Sequence, residues 1–331
     1  MNFKILAIDG GGIKGLYSST ILEHLEKVYE CSCSDHFDML CGTSTGGLIA
    51  LGLAQKIPAK EISKIYTVNG AKIFPKHNKY AGLFRQAFWR GKYTDDALKR
   101  ALTEIFGDKQ IKESNNLLCI PSYSITDARP WIFKYDHKEG ALSRDNEATF
   151  VDVALATSAA PTFFPMAELP QYDYKQFIDG GVWANNPALC GLVEALTYFV
   201  GENKQYKGIE ILSVASLNNT AGKPTGLKRN RSFLQWGNDL FEPSLIAQSA
   251  FTDYFLSKLN NITGIPIIYT RIPSEQISAE QQHLVQLDVA TPDAIHLIRG
   301  KGNDRGLIAE KDPAIAQFFK TKKTYSTRYH G

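Results

Sequence analysis

The chain has 331 residues, 44% of them hydrophobic and 11% aromatic, enough to bury the core of one large domain or two small ones without staples. Lys and Arg number 37 against 34 Asp and Glu, and a net charge of +3 is too small to imply a nucleic acid polymer or any other polyanion as partner. Five scattered cysteines (Cys31, Cys33, Cys41, Cys119, Cys190) fit a reduced cytosolic compartment, and no second ligand pair joins Cys31, Cys33 and His36 to make a zinc site.

The N-terminus enters an apolar strand at once, Phe3 to Ile8, with no secretory signal ahead of it. Gly10, Gly11, Gly12 and Gly15 then form a turn, and Ile21, Leu22, Leu25, Val28 and Tyr29 make one face of a helix. Phe37 to Cys41 is a second strand, Gly42 to Gly47 a tight turn, and Leu48 to Ala54 the start of a second helix. Two successive strand and helix units predict an α/β fold whose parallel sheet is covered by helices. The weakly polar run 41–54 is shorter than the roughly 20 residues of a membrane span, so the chain is soluble or peripheral at most.

Further along, Thr94 caps a helix with Asp95 and Asp96 in its first turn, an apolar face from Ala97 to Phe106 and Gly107 after its end. Strands are expected at Leu117–Ile120, Trp131–Tyr135 and Gln176–Ile178, and a helix at Val151–Ala160, stopped by Pro161. Asn186 caps a helix that begins at Pro187 and buries Leu189, Val193 and Leu196. Ile209–Val214 is another strand, Thr220–Arg231 an exposed loop and Leu240–Leu259 helical. The chain is taken as one domain, 1–331, with a motif-bearing core at about 3–216 and a mixed C-terminal part, 217–331.

Gly42-Thr43-Ser44-Thr45-Gly46 matches G-x-S-x-G, where flanking glycines let the chain turn sharply and expose the serine hydroxyl at a strand end. A common loop would also match, but the strand, turn and helix context favours a nucleophile. His283 and His296 lie late enough to complete a Ser, Asp, His triad on an α/β-hydrolase fold. That fold builds several strands before its nucleophile, whereas one strand and helix unit precedes Ser44, so a base other than histidine is sought.

Gly10, Gly11, Gly12 and Gly15 open a helix and leave backbone N–H groups for an anion, with Gly11 and Gly12 as oxyanion donors. The same glycines satisfy a dinucleotide fingerprint, but Glu30 and Asp35 precede the next strand instead of ending it. Asp179-Gly180-Gly181 follows a strand and places a carboxylate at the sheet edge where parallel sheets carry their sites. From there Asp179 could take the Ser44 proton.

With these elements in order, the chain resembles the patatin-like phospholipases, a three-layer α/β/α fold with a mostly parallel central sheet. The carrying motifs are Asp9-Gly10-Gly11-Gly12-Ile13-Lys14-Gly15, Gly42-Thr43-Ser44-Thr45-Gly46-Gly47 and Asp179-Gly180-Gly181. Ala156 to Phe164 and Asn185-Asn186-Pro187 also resemble family segments, so the match covers about residues 3–200. The resemblance implies a catalytic dyad of Ser44 and Asp179 and an oxyanion hole at Gly10, Gly11 and Gly12. Lys14, Gly15, Gly42, Gly46, Gly180 and Gly181 support these motifs. Where relatives carry Ser-Leu-Gly-Thr-Gly, this chain has Ser213-Val214-Ala215-Ser216-Leu217, a departure that bears on the neighbouring loop and touches no proposed catalytic group.

The resemblance is strongest to bacterial members, including phospholipase effectors of cyclic-oligonucleotide antiphage systems, and implies membrane phospholipids as substrate and a cyclic dinucleotide as activator. It places the protein in the cytoplasm, peripheral at the inner membrane face, and leaves a homo-oligomer open. No cofactor or metal is implied, and no acidic calcium loop occurs. Leu83, Phe84, Phe88 and Trp89 alternate with Arg85, Arg90 and Lys92 and could face lipid or cover the core. Lys320, Lys322 and Lys323 are expected on a solvated tail with some affinity for anionic lipid. A dehydrogenase and a catalytically dead binding fold are the competing classes.

Overall fold

The computed structural model describes residues 1–75, 91–218, 225–232, 236, 242–259 and 264–326. The segment from Leu83 to Arg90 and residues 220–224 lie outside them. Among the described residues one sheet has eight strands. They are β1 (Asn2–Ile8), β2 (Met39–Gly42), β3 (Leu117–Ser124), β4 (Arg129–Lys134), β5 (Ala167–Leu169), β6 (Lys175–Asp179), β7 (Gly208–Val214) and β8 (Ile267–Ile272). The sheet is parallel from β3 through β2, β1 and β7 to β8, while β4 and β6 join β3, and β5 joins β6, antiparallel. The central strands β1 and β2 are near-continuous apolar runs because helices cover both of their faces.

One layer holds the helix Ala188–Tyr198, whose Gly191 lies so close to the sheet that a Cβ there would be 2.6 Å from Cys41 Sγ and 3.1 Å from Ile5 Cγ2. The opposite layer holds the helices Thr45–Ala54 and Phe150–Ser158, and a Cβ on Gly47 would meet Thr157 at 2.8 Å and Ile120 at 3.4 Å. Cys41 pairs with Cys119, so Ile120 points to the other face and the three layers follow. The helix Gly15–Val28 joins the core, and Gly302 and Gly306 of the helix Pro292–Ala309 let that helix approach Thr20 and His24 closely.

Several expected boundaries move for physical reasons. Strand β3 continues past Ile120 through Pro121 to Ser124, because the N–H that proline lacks would face a gap in the ladder described below. The helix expected to bury Leu189, Val193 and Leu196 buries Ala188, Gly191, Leu192, Glu194 and Ala195 most fully, keeps Leu189 and Leu196 half-buried against the core and leaves Val193 exposed. Small residues face the strands there, so the helix sits closer than a leucine-lined face would allow. Asn186 still acts as a cap through its Oδ1, which accepts the Ala188 N–H at 3.0 Å. The helix Asp96–Phe106 is preceded by Asp95, without a side-chain cap from Thr94. The helix stopped by Pro161 ends earlier, at Ser158. The C-terminal lysines are not all solvated: Lys323 is half-buried against Asn115, and the Thr324 and Tyr325 N–H groups bond to Asp38 at 2.9 and 2.8 Å.

The feature that positions the site is an interrupted edge of β3. Cys119 pairs with Cys41 of β2 on one side and Lys134 of β4 on the other, while Ser122 pairs with Trp131 of β4 and with Asp179 of β6. Strands β2 and β6 therefore share the edge of β3 that β4 does not occupy, running toward each other. They stop short of meeting across Ile120 and Pro121. Asp179 reaches the site for this reason, and not because its own strand is parallel to its neighbour.

Candidate active site

Gly42 closes β2 and the chain turns at Ser44, whose φ of 54° and ψ of −126° depart from every relaxed conformation of a side-chain-bearing residue. The strain sits on the serine itself. Gly42 and Gly46 supply room: a Cβ on Gly42 would lie 2.1 Å from the Gly46 carbonyl oxygen, and one on Gly46 would lie 2.2 Å from Ile8 O. The Ser44 N–H donates to Thr157 Oγ1 at 3.0 Å, and that hydroxyl donates onward to Pro121 O at 2.6 Å, inside the gap between β2 and β6. Thr43 Oγ1 donates to Ala184 O at 2.6 Å and fixes the other side of the turn.

Asp179 ends β6 opposite this turn and is buried. Its N–H donates to Ala159 O at 3.0 Å, and its Oδ1 accepts the Gly181 N–H at 2.7 Å. Burial pushes its carboxyl up to about 6, against the opposing pull of hydrogen bonds from the Ser44 hydroxyl and the Gly181 N–H. Gly180 has no room for a side chain, since a Cβ would lie 2.2 Å from Pro121 O. A carboxylate with this environment is a stronger base than a solvated one and remains ionised at neutral pH.

The glycine loop follows β1. Gly10 donates its N–H to Asn185 O at 3.0 Å, which removes it from the expected set of anion donors. Among the described residues the N–H groups of Gly11 and Gly12 have no acceptor, and both glycines line the pocket with Ser44 and Asp179. Gly12 has a φ of 58° and lies against Leu287 O, while Gly11 backs onto Ser216. The departure at residues 213–217 therefore does reach the glycine loop. Lys14 is buried and pairs with Glu242 Oε1 at 2.9 Å, and Gly15 leaves space for Thr45.

The pocket holds about 690 Å³ of empty space including its mouth. Leu48, Ile65, Phe74, Phe163, Phe164 and Leu245 make most of its wall apolar, and Asn185 lines it together with Ser44 and Asp179. This is the shape of a site for a hydrocarbon chain attached to a polar reacting centre. His283 and His296 are exposed and do not line it. Strand β2 ends in the serine turn and carries no acidic residue there to hold a ribose.

Thr157, the acidic partner Glu242, and the apolar wall from residues 65, 74 and 245 escape sequence reasoning, because nothing in their spacing links them to Ser44. The signal for Thr157 was its place in the Ala156–Phe164 segment. Asp9, first residue of the glycine motif, is fully buried and held by Arg271 of β8 through Nη2 to Oδ2 at 2.6 Å and Nη1 to Oδ1 at 3.1 Å. No motif marks Arg271.

A model of the family described as patatin-like phospholipase matches residues 6–189. A cGAMP-activated phospholipase of Pseudomonas aeruginosa (strain BWHPSA011 / Pa011) is 32% identical over 332 residues, which span 99% of this chain and 95% of that protein. A protein with the same description from Vibrio cholerae serotype O1 (strain ATCC 39315 / El Tor Inaba N16961) is 28% identical over 96% of this chain and 94% of its own length. Patatin-like protein 2 of Oryza sativa subsp. indica is 35% identical over 61% of this chain and 55% of its own. The chain belongs to the patatin-like phospholipase family and is a lipid acyl hydrolase.

Proposed function

We propose that Ser44 and Asp179 form a catalytic dyad that releases fatty acids from membrane glycerophospholipids. The observation that carries this reading is the head-to-head arrangement of β2 and β6 on one edge of β3, which brings Ser44 and the buried Asp179 carboxyl into the wall of one apolar pocket. Asp179 takes the hydroxyl proton as Ser44 Oγ attacks the ester carbonyl carbon. The Gly11 and Gly12 N–H groups receive the oxyanion, where each donor is worth about 3 kcal/mol in rate. Collapse breaks the bond to the alkoxide, which takes the proton from Asp179 and leaves as lysophospholipid, with the acyl group on Ser44. Water then attacks the acyl-enzyme with Asp179 again as base, releasing the fatty acid and restoring Ser44.

The descriptions of two bacterial relatives as cGAMP-activated phospholipases support a further element, activation by a cyclic dinucleotide; an antiphage role at the inner face of the membrane belongs to the same proposal and rests on the sequence resemblance. No helix among the described residues is long and apolar enough to cross a membrane, which agrees with peripheral contact. The chain is read as one unit because β8, from its C-terminal part, pairs with β7 along six residues. The test is fatty-acid release from phospholipid vesicles in chelator, with and without 3′,3′-linked and 2′,3′-linked cyclic dinucleotides. Wild type is compared with Ser44→Ala and Asp179→Asn. Release by wild type alone, raised by one of the nucleotides, is expected. Full release without any nucleotide, unchanged by all of them, favours a constitutive lipase instead.

A further inference from the structure

Three consecutive glycines form the anion loop, and they carry no side chains by which the loop could be anchored. An oxyanion donor is effective only when held in place before the reaction, since misplacement by about 1 Å costs about 10²-fold in rate. What fixes the loop must therefore come from its neighbours. Asp9, the residue before it, takes the Arg271 guanidinium on both carboxylate oxygens, and Arg271 Nη1 also donates to Ser213 Oγ at 2.5 Å. Ser213 and Arg271 are register partners on β7 and β8, so this clamp rests on the sheet.

A second anchor comes from the helix Glu242–Leu259. Its Ser249 is buried, and its Oγ accepts the Asn185 Nδ2–H at 2.9 Å. Asn185 in turn holds the Gly10 N–H with its own carbonyl. Gln248 on the same helix accepts the Asn186 N–H at 3.0 Å, and Leu245 closes the pocket beside Gly181. Asp253, one turn beyond Ser249, faces Arg271 Nε at 3.8 Å and accepts from Tyr269 Oη at 2.9 Å. A buried ion pair adds little net stability over an apolar replacement, so the Asp9 and Arg271 pair is not explained by stability. Its fork geometry is suited to fixing orientation.

We infer that Arg271, through Asp9, and Ser249, through Asn185 and Gly10, both outside residues 6–189, are positioning residues that hold the Gly11 and Gly12 donors in register with Ser44. The inference rests on the dyad and oxyanion reading above. It makes the C-terminal part of the chain a component of catalytic geometry, so that a shift of the helix Glu242–Leu259 reaches the oxyanion loop through Ser249 and Asn185.

The test uses the full chain and a short-chain p-nitrophenyl ester, with kcat and KM measured separately, and with the rate at which a fluorophosphonate labels Ser44. Arg271→Met should lower kcat about 10²-fold with KM within about twofold, and Arg271→Lys, which keeps a charge but not the fork, should recover part of the loss. Ser249→Ala should lower kcat about tenfold, and labelling should slow in parallel. Combined with Arg271→Met it should cost less than the product of the two effects, because both act on the same glycine loop, one from Asp9 and one from Gly10. If Arg271→Met does not fold, Arg271→Lys and Ser249→Ala decide. Wild-type kcat in these two variants overturns the inference, as does a rise in KM with kcat unchanged. Ser44→Ala runs alongside: activity surviving there overturns the dyad and the inference together, whereas its loss with full activity in the positioning variants overturns the inference alone.

Discussion

The backbone N–H of Ser44 donates to the hydroxyl of Thr157 at 3.0 Å, and that hydroxyl bridges the gap in the sheet by donating to Pro121 O. The strained serine turn is thus held by a helix that reaches it only through the fold. Thr157→Val should leave a buried N–H and a buried carbonyl unpaired, lowering stability by about 2 kcal/mol and kcat by about tenfold. Thr157→Ser, which keeps the hydroxyl, should stay near wild type. Urea denaturation and ester hydrolysis measure both.

In the proposed mechanism activity needs the Asp179 carboxylate, so kcat/KM should rise tenfold per pH unit below about 6 and level off above. In the unfolded chain this group titrates near 3.8, so the folded state binds its proton more tightly. Its contribution favours folding at low pH and is lost as pH rises through 6, leaving a cost of about 3 kcal/mol at pH 8. Asp179→Asn should therefore raise stability at pH 8 by up to about 3 kcal/mol while abolishing activity, with the gain shrinking toward pH 5. Denaturant midpoints at the two pH values measure it.

Glycines at different places should respond with opposite sign. A Cβ on Gly46 would collide with the backbone oxygens of Ile8 and Asp9, at 2.2 and 2.7 Å, and Gly46→Ala should cost about 3 kcal/mol or more. Gly300, in the helix Pro292–Ala309, has open space where a Cβ would stand, and Gly300→Ala should stabilise by about 0.5 to 1 kcal/mol. Thermal melts of the two variants separate the effects.

Lys14 is buried with its ammonium on Glu242. Glu242→Gln removes the countercharge and should cost about 2 kcal/mol, less than a fully enclosed pair because Glu242 is partly exposed. Lys14→Met combined with Glu242→Leu should recover most of that loss, as read by guanidinium denaturation.

Much of this site is legible in the residues. The glycine loop, the Ser44 turn and Asp179 are local patterns, and each stands at a strand end as its flanking apolar runs require. The approach of Asp179 to the Ser44 turn is harder to place, because β6 reaches it antiparallel, on an edge of β3 that β2 leaves unfinished. No local signal reports such a gap, although Pro121 marks it afterwards. Gly10 shows a second limit: a glycine loop offers several N–H groups, and only tertiary contact with Asn185 shows that one is already used. In the helix Ala188–Tyr198 residue size points to Val193, which is exposed, whereas close packing on β1 and β2 selects Gly191 and Ala195 for the face against the strands.

The most direct test of the proposed dyad is the site and rate of covalent labelling. After reaction with a fluorophosphonate, peptide mapping by mass spectrometry should find the adduct on Ser44 in wild type, and Asp179→Asn should react at least about 10²-fold more slowly, since a missing general base costs about 10² to 10⁴. An adduct on another residue, or undiminished labelling of Ser44 in Asp179→Asn, would contradict it.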